Sequence, residues 1–184
     1  MRVFIALELA RNVQQKLEKT TNMLRDCSQQ VNWVKPFNFH LTLKFLGEIR
    51  EEQLEEIEEE LTGLKEVKEP FKILLDGLGA FPNLEYPKVI WVGIEEGREQ
   101  LVRLQEEIED RLADLGFERE QREYTPHVTL GRVKQKDGLE GIKKQLDDFP
   151  FRISASQKVE QISIIKSELT ARGPIYTTLS EIKL

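Results

Sequence analysis

The stretches His40-Leu41-Thr42-Leu43 and His127-Val128-Thr129-Leu130 decide how this chain is read. They are two copies of one pattern, His-x-Thr-x with apolar residues at both x positions, set 87 residues apart, and they use both histidines of the 184-residue chain. With nine threonines in 184 positions, a Thr two residues after each histidine is about a one-in-400 coincidence, before the apolar positions are counted. Along a β-strand, residues i and i+2 project from one face and i+1 and i+3 from the other. His40 and Thr42 are therefore expected on one face, with Leu41 and Leu43 anchored in a core behind them. His127 and Thr129 stand in the same relation to Val128 and Leu130.

Outward from each tetrad the chain repeats one order of elements. A helix precedes each His-x-Thr-x strand, a second helix follows, and two strand runs come after, opening at Pro70-Phe71-Lys72-Ile73 and Lys88-Val89 in the first half and at Pro150-Phe151-Arg152-Ile153 and Lys158-Val159 in the second. Apolar stripes at helical spacing place helices from about Ala10 to Asp26 (Val13, Leu17, Leu24), through Leu54, Ile57, Leu61 and Leu64 with an end near Gly63, through Leu101, Leu104, Ile108, Leu112 and Leu115 with Gly116 as the stop, and around Leu139, Ile142 and Leu146. Strands are expected over Val3–Leu7, His40–Leu46, Phe71–Leu75, Val89–Ile94, His127–Val133, Phe151–Ser154, Val159–Ile165 and Ile175–Ile182. The expected class is α+β, a duplicated bilobal unit over residues 1–184 with a pseudo-twofold axis and no boundary between independently folding parts. The Glu-dense stretch Glu48 to Glu60 carries apolar residues at helical spacing and reads as a solvated outer helix face.

Composition narrows the function. With 27 Lys and Arg against 33 Asp and Glu, the net charge is −6 and the pI about 5.2, which argues against extended binding along a nucleic-acid backbone. A nucleic-acid partner has to be gripped locally. The lone Cys27 forms no internal disulfide, no apolar run approaches a membrane span, and MRVFIALELA lacks the long apolar stretch of a signal peptide, so a cytoplasmic protein away from membranes is expected.

Two histidines on one cleft wall can share acid and base work near neutral pH, because the imidazole has an unperturbed pKa of about 6.5. Displacement at phosphorus needs one group to activate the attacking oxygen and another to protonate the departing one. The hydroxyls of Thr42 and Thr129 can donate to the non-bridging oxygens, and no metal or cofactor enters the scheme. Zinc would need three or four protein ligands, and the chain has no third His and no Cys pair, which leaves completion by carboxylates as the rival use of the histidines. It contains no GxSxG elbow, GxxxxGK[ST] loop or GxGxxG loop.

The tetrads, together with MRVFIALEL at residues 1–9, Val31-Asn32-Trp33-Val34-Lys35-Pro36, Lys44-Phe45-Leu46-Gly47, Thr125-Pro126, Gly131-Arg132, Ser167-Glu168-Leu169 and Gly173-Pro174-Ile175-Tyr176, make the sequence resemble the two-histidine (2H) phosphoesterases. Within them it is most similar to the bacterial and archaeal RNA 2′,3′-cyclic phosphodiesterases, also called 2′-5′ RNA ligases. Phe37 and Phe39 ahead of His40 depart from that pattern. The resemblance implies two antiparallel sheets facing a central cleft with helices outside. It also implies opening of a 2′,3′-cyclic phosphate at an RNA end, tRNA halves among the candidates, to a 2′-phosphate by a monomer. His40 would then be the proton donor to O3′ and His127 the proton acceptor from water, roles that the repeat alone leaves equivalent.

Further residues are weighed beside the tetrads. Arg132, five residues past His127, reaches a bound phosphate only if a bulge reverses its strand face. Phe45 has the same parity and is expected in the core, with base stacking as the alternative. Trp33 and Tyr176 are placed for base stacking or for packing, and Lys35, Lys44, Arg122, Lys134 and Lys136 for a local cationic funnel or plain surface. Three alternatives stand beside the cyclic phosphodiesterase: a 2′-5′ RNA ligase, an enzyme for small cyclic nucleotides, and an RNA-end binding module without catalysis.

Overall fold

Apolar runs become strands and 3.6-residue stripes become helices in the computed structural model, which describes residues 1–26, 30–64, 69–134, 140–148, 153–171 and 173–184. Cys27, Lys136, Leu139, Pro150, Phe151 and Arg152 lie outside the described residues. The strands are β1 (Arg2–Glu8), β2 (Val31–Trp33), β3 (His40–Glu48), β4 (Phe71–Phe81), β5 (Val89–Glu96), β6 (His127–Val133), β7 (Ala155–Val159), β8 (Gln161–Thr170) and β9 (Gly173–Lys183). The helices are α1 (Arg11–Arg25), α2 (Glu52–Thr62), α3 (Arg98–Asp114) and α4 (Glu140–Asp148).

All described pairings are antiparallel, in the order β7-β4-β5-β6-β3-β1-β8-β9, with β2 beside β6. The order is symmetric about its middle: β6 answers β3, β5 answers β1, β4 answers β8 and β7 answers β9. The expected α+β duplication is present, with one refinement. The sheets of the two lobes meet at β3 and β6 and are hydrogen-bonded into one curled ladder.

Each lobe takes strands from the other half of the chain, since β4 of the first half lies between β5 and β7 in the lobe of β6, while β8 and β9 of the second half extend the pair of β3 and β1. Two local expectations change with this exchange. Ile153 and Ser154 precede the strand rather than form it, and Lys158 and Val159 end β7 instead of opening the next run. The edge strand β2 and the strand β7 are too short to show an alternation of their own.

Val3, Ile5 and Leu7 of β1 face the helices, and Val13 and Leu17 of α1, Ile57 and Leu61 of α2 and Leu101, Leu104, Ile108 and Leu112 of α3 close on them in a shared core. Each such Leu or Ile, fully removed from water, contributes about 1.5–3 kcal/mol. Phe4 and Ala6 project the other way, into a small cluster with Ile165 against Tyr176. The helices therefore cover one face of the sheet and leave the tetrads' face uncovered by them. The acidic α2 behaves as its pattern suggests, burying Ile57 and Leu61 and turning most of its glutamates outward. Helix α3 stops where Gly116 takes φ +88°, with Gly116 N donating to Ala113 O and Phe117 N to Leu112 O.

One charged pair sits inside this core. Lys44 is 4% exposed and Glu109 of α3 6%. Lys44 Nζ donates to Glu109 Oε2 at 2.5 Å and to Glu118 O at 2.8 Å, while Gln105 Nε2 and Glu120 N donate to the same carboxylate. Lys44 is thus neither funnel nor plain surface. It clamps the segment leading to His127 onto the strand carrying His40. Lys44→Met strands a buried carboxylate and is expected to cost about 3–5 kcal/mol in urea unfolding, whereas Lys44→Met with Glu109→Leu is expected to cost less than the single change.

Candidate active site

The two tetrads meet where Leu41 of β3 pairs with Val128 of β6. Both residues are fully buried, so His40 and Thr42, and His127 and Thr129, project together from the opposite face, all four half-buried. The antiparallel sense runs His40 alongside the Thr129 end of β6 and Thr42 alongside His127. Each histidine thus lies nearest the threonine of the other motif.

Both imidazoles are held in one way. His40 Nδ1 donates to Asn38 O at 2.8 Å and His127 Nδ1 to Thr125 O at 2.7 Å. A carbonyl oxygen only accepts, so Nδ1 carries the hydrogen in both rings and the neutral ring keeps Nε2 as its free lone pair. The supporting segments are themselves tethered. Asn38 Nδ2 donates to Pro174 O at 3.1 Å, and Tyr124, next to Thr125, donates from its hydroxyl to Thr42 O at 2.9 Å. Burial holds that phenol well above its usual range, so it remains a donor.

Aromatic rings wall both histidines. His40 lies 4.8 Å from Phe4 and edge-on to Tyr176 at 5.2 Å. His127 lies edge-on to Phe81 at 4.9 Å and 6.1 Å from Trp91. This enclosure lowers the pKa of both histidines; backbone acceptance raises each again in part, and the Arg132 charge lowers both further.

Two bulges complete the site. On β6, Ile90 pairs with Gly131 but Trp91 with Thr129, so Leu130 is skipped and the side-chain alternation reverses beyond it. Arg132 then returns to the histidine face, where its guanidinium acts electrostatically on His40, His127 and Tyr176. The same break occurs on β3: Ile5 pairs with Lys44 but Ala6 with Thr42, skipping Leu43. Phe45 therefore emerges on that face too, 64% exposed and 5.8 Å from the Phe4 ring. The core placement expected for Phe45 is corrected by this bulge, which alternation alone does not reveal.

Other named residues sort plainly. Trp33 packs over Gly131, where an added Cβ would stand 2.9 Å from its ring and 2.5 Å from Val31. Tyr176 borders His40, Phe39 is buried, and Lys35 lies over the exposed Phe37 ring at 5.7 Å. Arg122 and Lys134 are exposed. Among the described residues no three His, Cys, Asp or Glu side chains gather as metal ligands, and no helix is long and apolar enough to cross a membrane.

A duplicated α+β fold with paired His-x-Thr-x strands on one face defines the two-histidine phosphoesterase class. The model of the LigT-like phosphoesterase family matches the chain twice, over residues 7–91 and 92–176, and the chain belongs to that family. It is 36% identical over 181 residues to the RNA 2′,3′-cyclic phosphodiesterase of Methanocaldococcus jannaschii, covering 98% of this chain and 99% of that one. It is 42% identical over 150 residues to the protein of the same name from Aeropyrum pernix, covering 82% of this chain and 84% of that one. The crystal structure of the Thermus thermophilus protein TT0787 superimposes with a TM-score of 0.81 at 29% identity, over 100% of this chain and 98% of that one.

The shared hydrogen-bonding mode has a direct spectroscopic consequence. With only two imidazoles in the chain, nitrogen-15 shifts recorded above their titration should show Nδ1 protonated and Nε2 bare in both. An Nε2–H ring at either position would contradict the arrangement.

Proposed function

We propose that this chain hydrolyses the 2′,3′-cyclic phosphate at RNA ends to a 2′-phosphate, with His40 and His127 as acid and base and no metal in the reacting set. The observation that carries this is the pair of imidazoles with Nδ1 committed to a backbone carbonyl and Nε2 left for chemistry, on one face beside two threonines. The names of the relatives support the substrate class.

In this reading His127 Nε2 takes a proton from water as its oxygen attacks phosphorus. The P–O3′ bond breaks, and the departing O3′ takes a proton from His40 Nε2, leaving a 3′-hydroxyl and a 2′-phosphate. Thr42, Thr129 and Arg132 hold the non-bridging oxygens as negative charge builds on them. Phe45, exposed above Phe4, offers a base of the RNA an apolar stacking surface. The cationic demand of one terminal phosphate is met by Arg132, which a net charge of −6 does not prevent.

Purified protein in excess EDTA should convert a cyclic-phosphate oligonucleotide to the 2′-phosphate alone. A 3′-phosphate product, or loss of activity that a divalent metal restores, would sink the scheme. His40→Ala and His127→Ala should each lower kcat by about 10²–10⁴-fold, with the fold intact by circular dichroism.

The pH profile follows from burial. His127 must be neutral and His40 protonated, and both titrate below their usual value in the free enzyme. Lowering the base extends activity to more acid pH, and lowering the acid ends it earlier on the alkaline side. The bell in kcat/KM should therefore centre below about pH 6.5. The profile of kcat should lie at higher pH, because the bound phosphate anion favours both protonated rings. A kcat/KM optimum on the alkaline side of about pH 7.5 would contradict the assignment.

A further inference from the structure

The pseudo-twofold axis makes the two halves of the site nearly interchangeable, so something must decide which histidine gives the proton and which takes it. The strand register shows where the halves differ. Along β1, Ala6 pairs with Thr42, Leu7 with Leu41 and Glu8 with His40. Along β5, Trp91 pairs with Thr129, Val92 with Val128 and Gly93 with His127. Glu8 and Gly93 thus occupy equivalent places, each directly across from a histidine. Directly paired residues of an antiparallel ladder share a face, so the Glu8 carboxylate stands on the histidine face. It is anchored there by Thr178 of β9, whose Oγ1 donates to Glu8 Oε1 at 2.7 Å.

We propose that Glu8 is the positioning residue that breaks the symmetry of the pair, a carboxylate opposite His40 where glycine stands opposite His127, so that the transferable proton resides on His40. This rests on the two-histidine acid-base reading above and extends it to a residue outside both tetrads.

The other groups facing the two rings do not supply this difference. His40 faces Arg132 and His127 of β6, Tyr176 of β9 and Phe4 of β1. His127 faces Arg132 of its own strand, Trp91 of β5 and Phe81 of β4. Burial, a backbone acceptor and the Arg132 charge act on both histidines, and the His127 charge adds to the lowering at His40; the Glu8 charge acts on His40 alone and in the opposite sense to both. On the other side Asp76 of β4 pairs with Gly93, one strand further out from His127. Its Oδ1 accepts from the amides of Gly77 and Ile153, which commits it to that turn.

The two histidines make the test direct, because imidazole carbon-bound proton signals can be followed for both rings across a pH titration. In the wild-type chain the His40 signal should titrate at higher pH than the His127 signal. In Glu8→Gln, which keeps an acceptor for Thr178, the His40 midpoint should fall by about 0.5–1 pH unit while that of His127 stays in place. Glu8→Asp should restore most of the difference. In turnover of a cyclic-phosphate oligonucleotide, Glu8→Gln should move the alkaline limb of kcat/KM down by the same interval and leave the acid limb unchanged. The same substitution in a His40→Ala background should have no further effect on that limb.

Unmoved midpoints, an equal fall of both, or a pH-independent loss of kcat/KM would overturn the proposal and reduce Glu8 to a structural partner of Thr178. A wild-type chain without cyclic phosphodiesterase activity would overturn the functional reading instead, while the titration of the two rings would still decide the role of Glu8.

Discussion

Where β3 meets β6, the strands pair at Leu41 and Val128, and both side chains turn back into the core. The pleat then leaves no choice for their neighbours, because residues on either side of a buried strand position project from the other face. Two histidines and two threonines from opposite halves of the chain are thereby presented together. The placement holds because reversing it would drive Leu41, Leu43, Val128 and Leu130 out of the core and bury four polar side chains in their stead, a cost of several kcal/mol. Hydrophobic burial is thus what aims the chemistry.

On that symmetric frame the two halves are decorated differently. Both motif strands break alternation after their second x residue, at Leu43 and Leu130, and both return the fifth residue after histidine to the site. The returned residue is an aromatic ring in one half and a guanidinium in the other. Just before it, one strand has the buried Lys44 bound to Glu109, and the other has Gly131, whose missing side chain admits Val31 and Trp33 of β2. Across from the histidines stand Glu8 and Gly93. Such a frame lets the two halves differ in chemistry without altering the backbone that holds both.

The histidines are also held rigidly relative to one another. Each Nδ1 is tied to a carbonyl two residues upstream, and each of those segments is tied across the molecule, Asn38 to the β8–β9 hairpin and Tyr124 to the carbonyl of Thr42. Lys44 adds a third tie, from β3 to the chain ahead of Tyr124. Tethers of this kind fix ring orientation and tautomer before substrate arrives, which spares a reaction at these rings the entropy of aligning two side chains.

Much of this is legible in the linear chain. The duplication, the helices, most of the strands and the four residues of the tetrads follow from periodicities of 2 and 3.6 and from a repeated motif, because burial of alternating residues is a local rule that the sequence obeys position by position. Phe45 escapes that rule and Arg132 stays conditional under it for one shared reason: a bulge is a property of two strands in register, and neither strand carries a mark of it alone. The role of Lys44 is hidden in a similar way, since its partners Glu109 and Glu118 lie 65 and 74 residues further along the chain. The sequence alone determined which side chains are candidates for chemistry and that they come in matched sets. Only the tertiary structure decided which neighbours each set meets, because those are chosen by strand order, register and the crossing of β4 and β8 between the two halves, and it is there that the surroundings of two equal histidines become unequal.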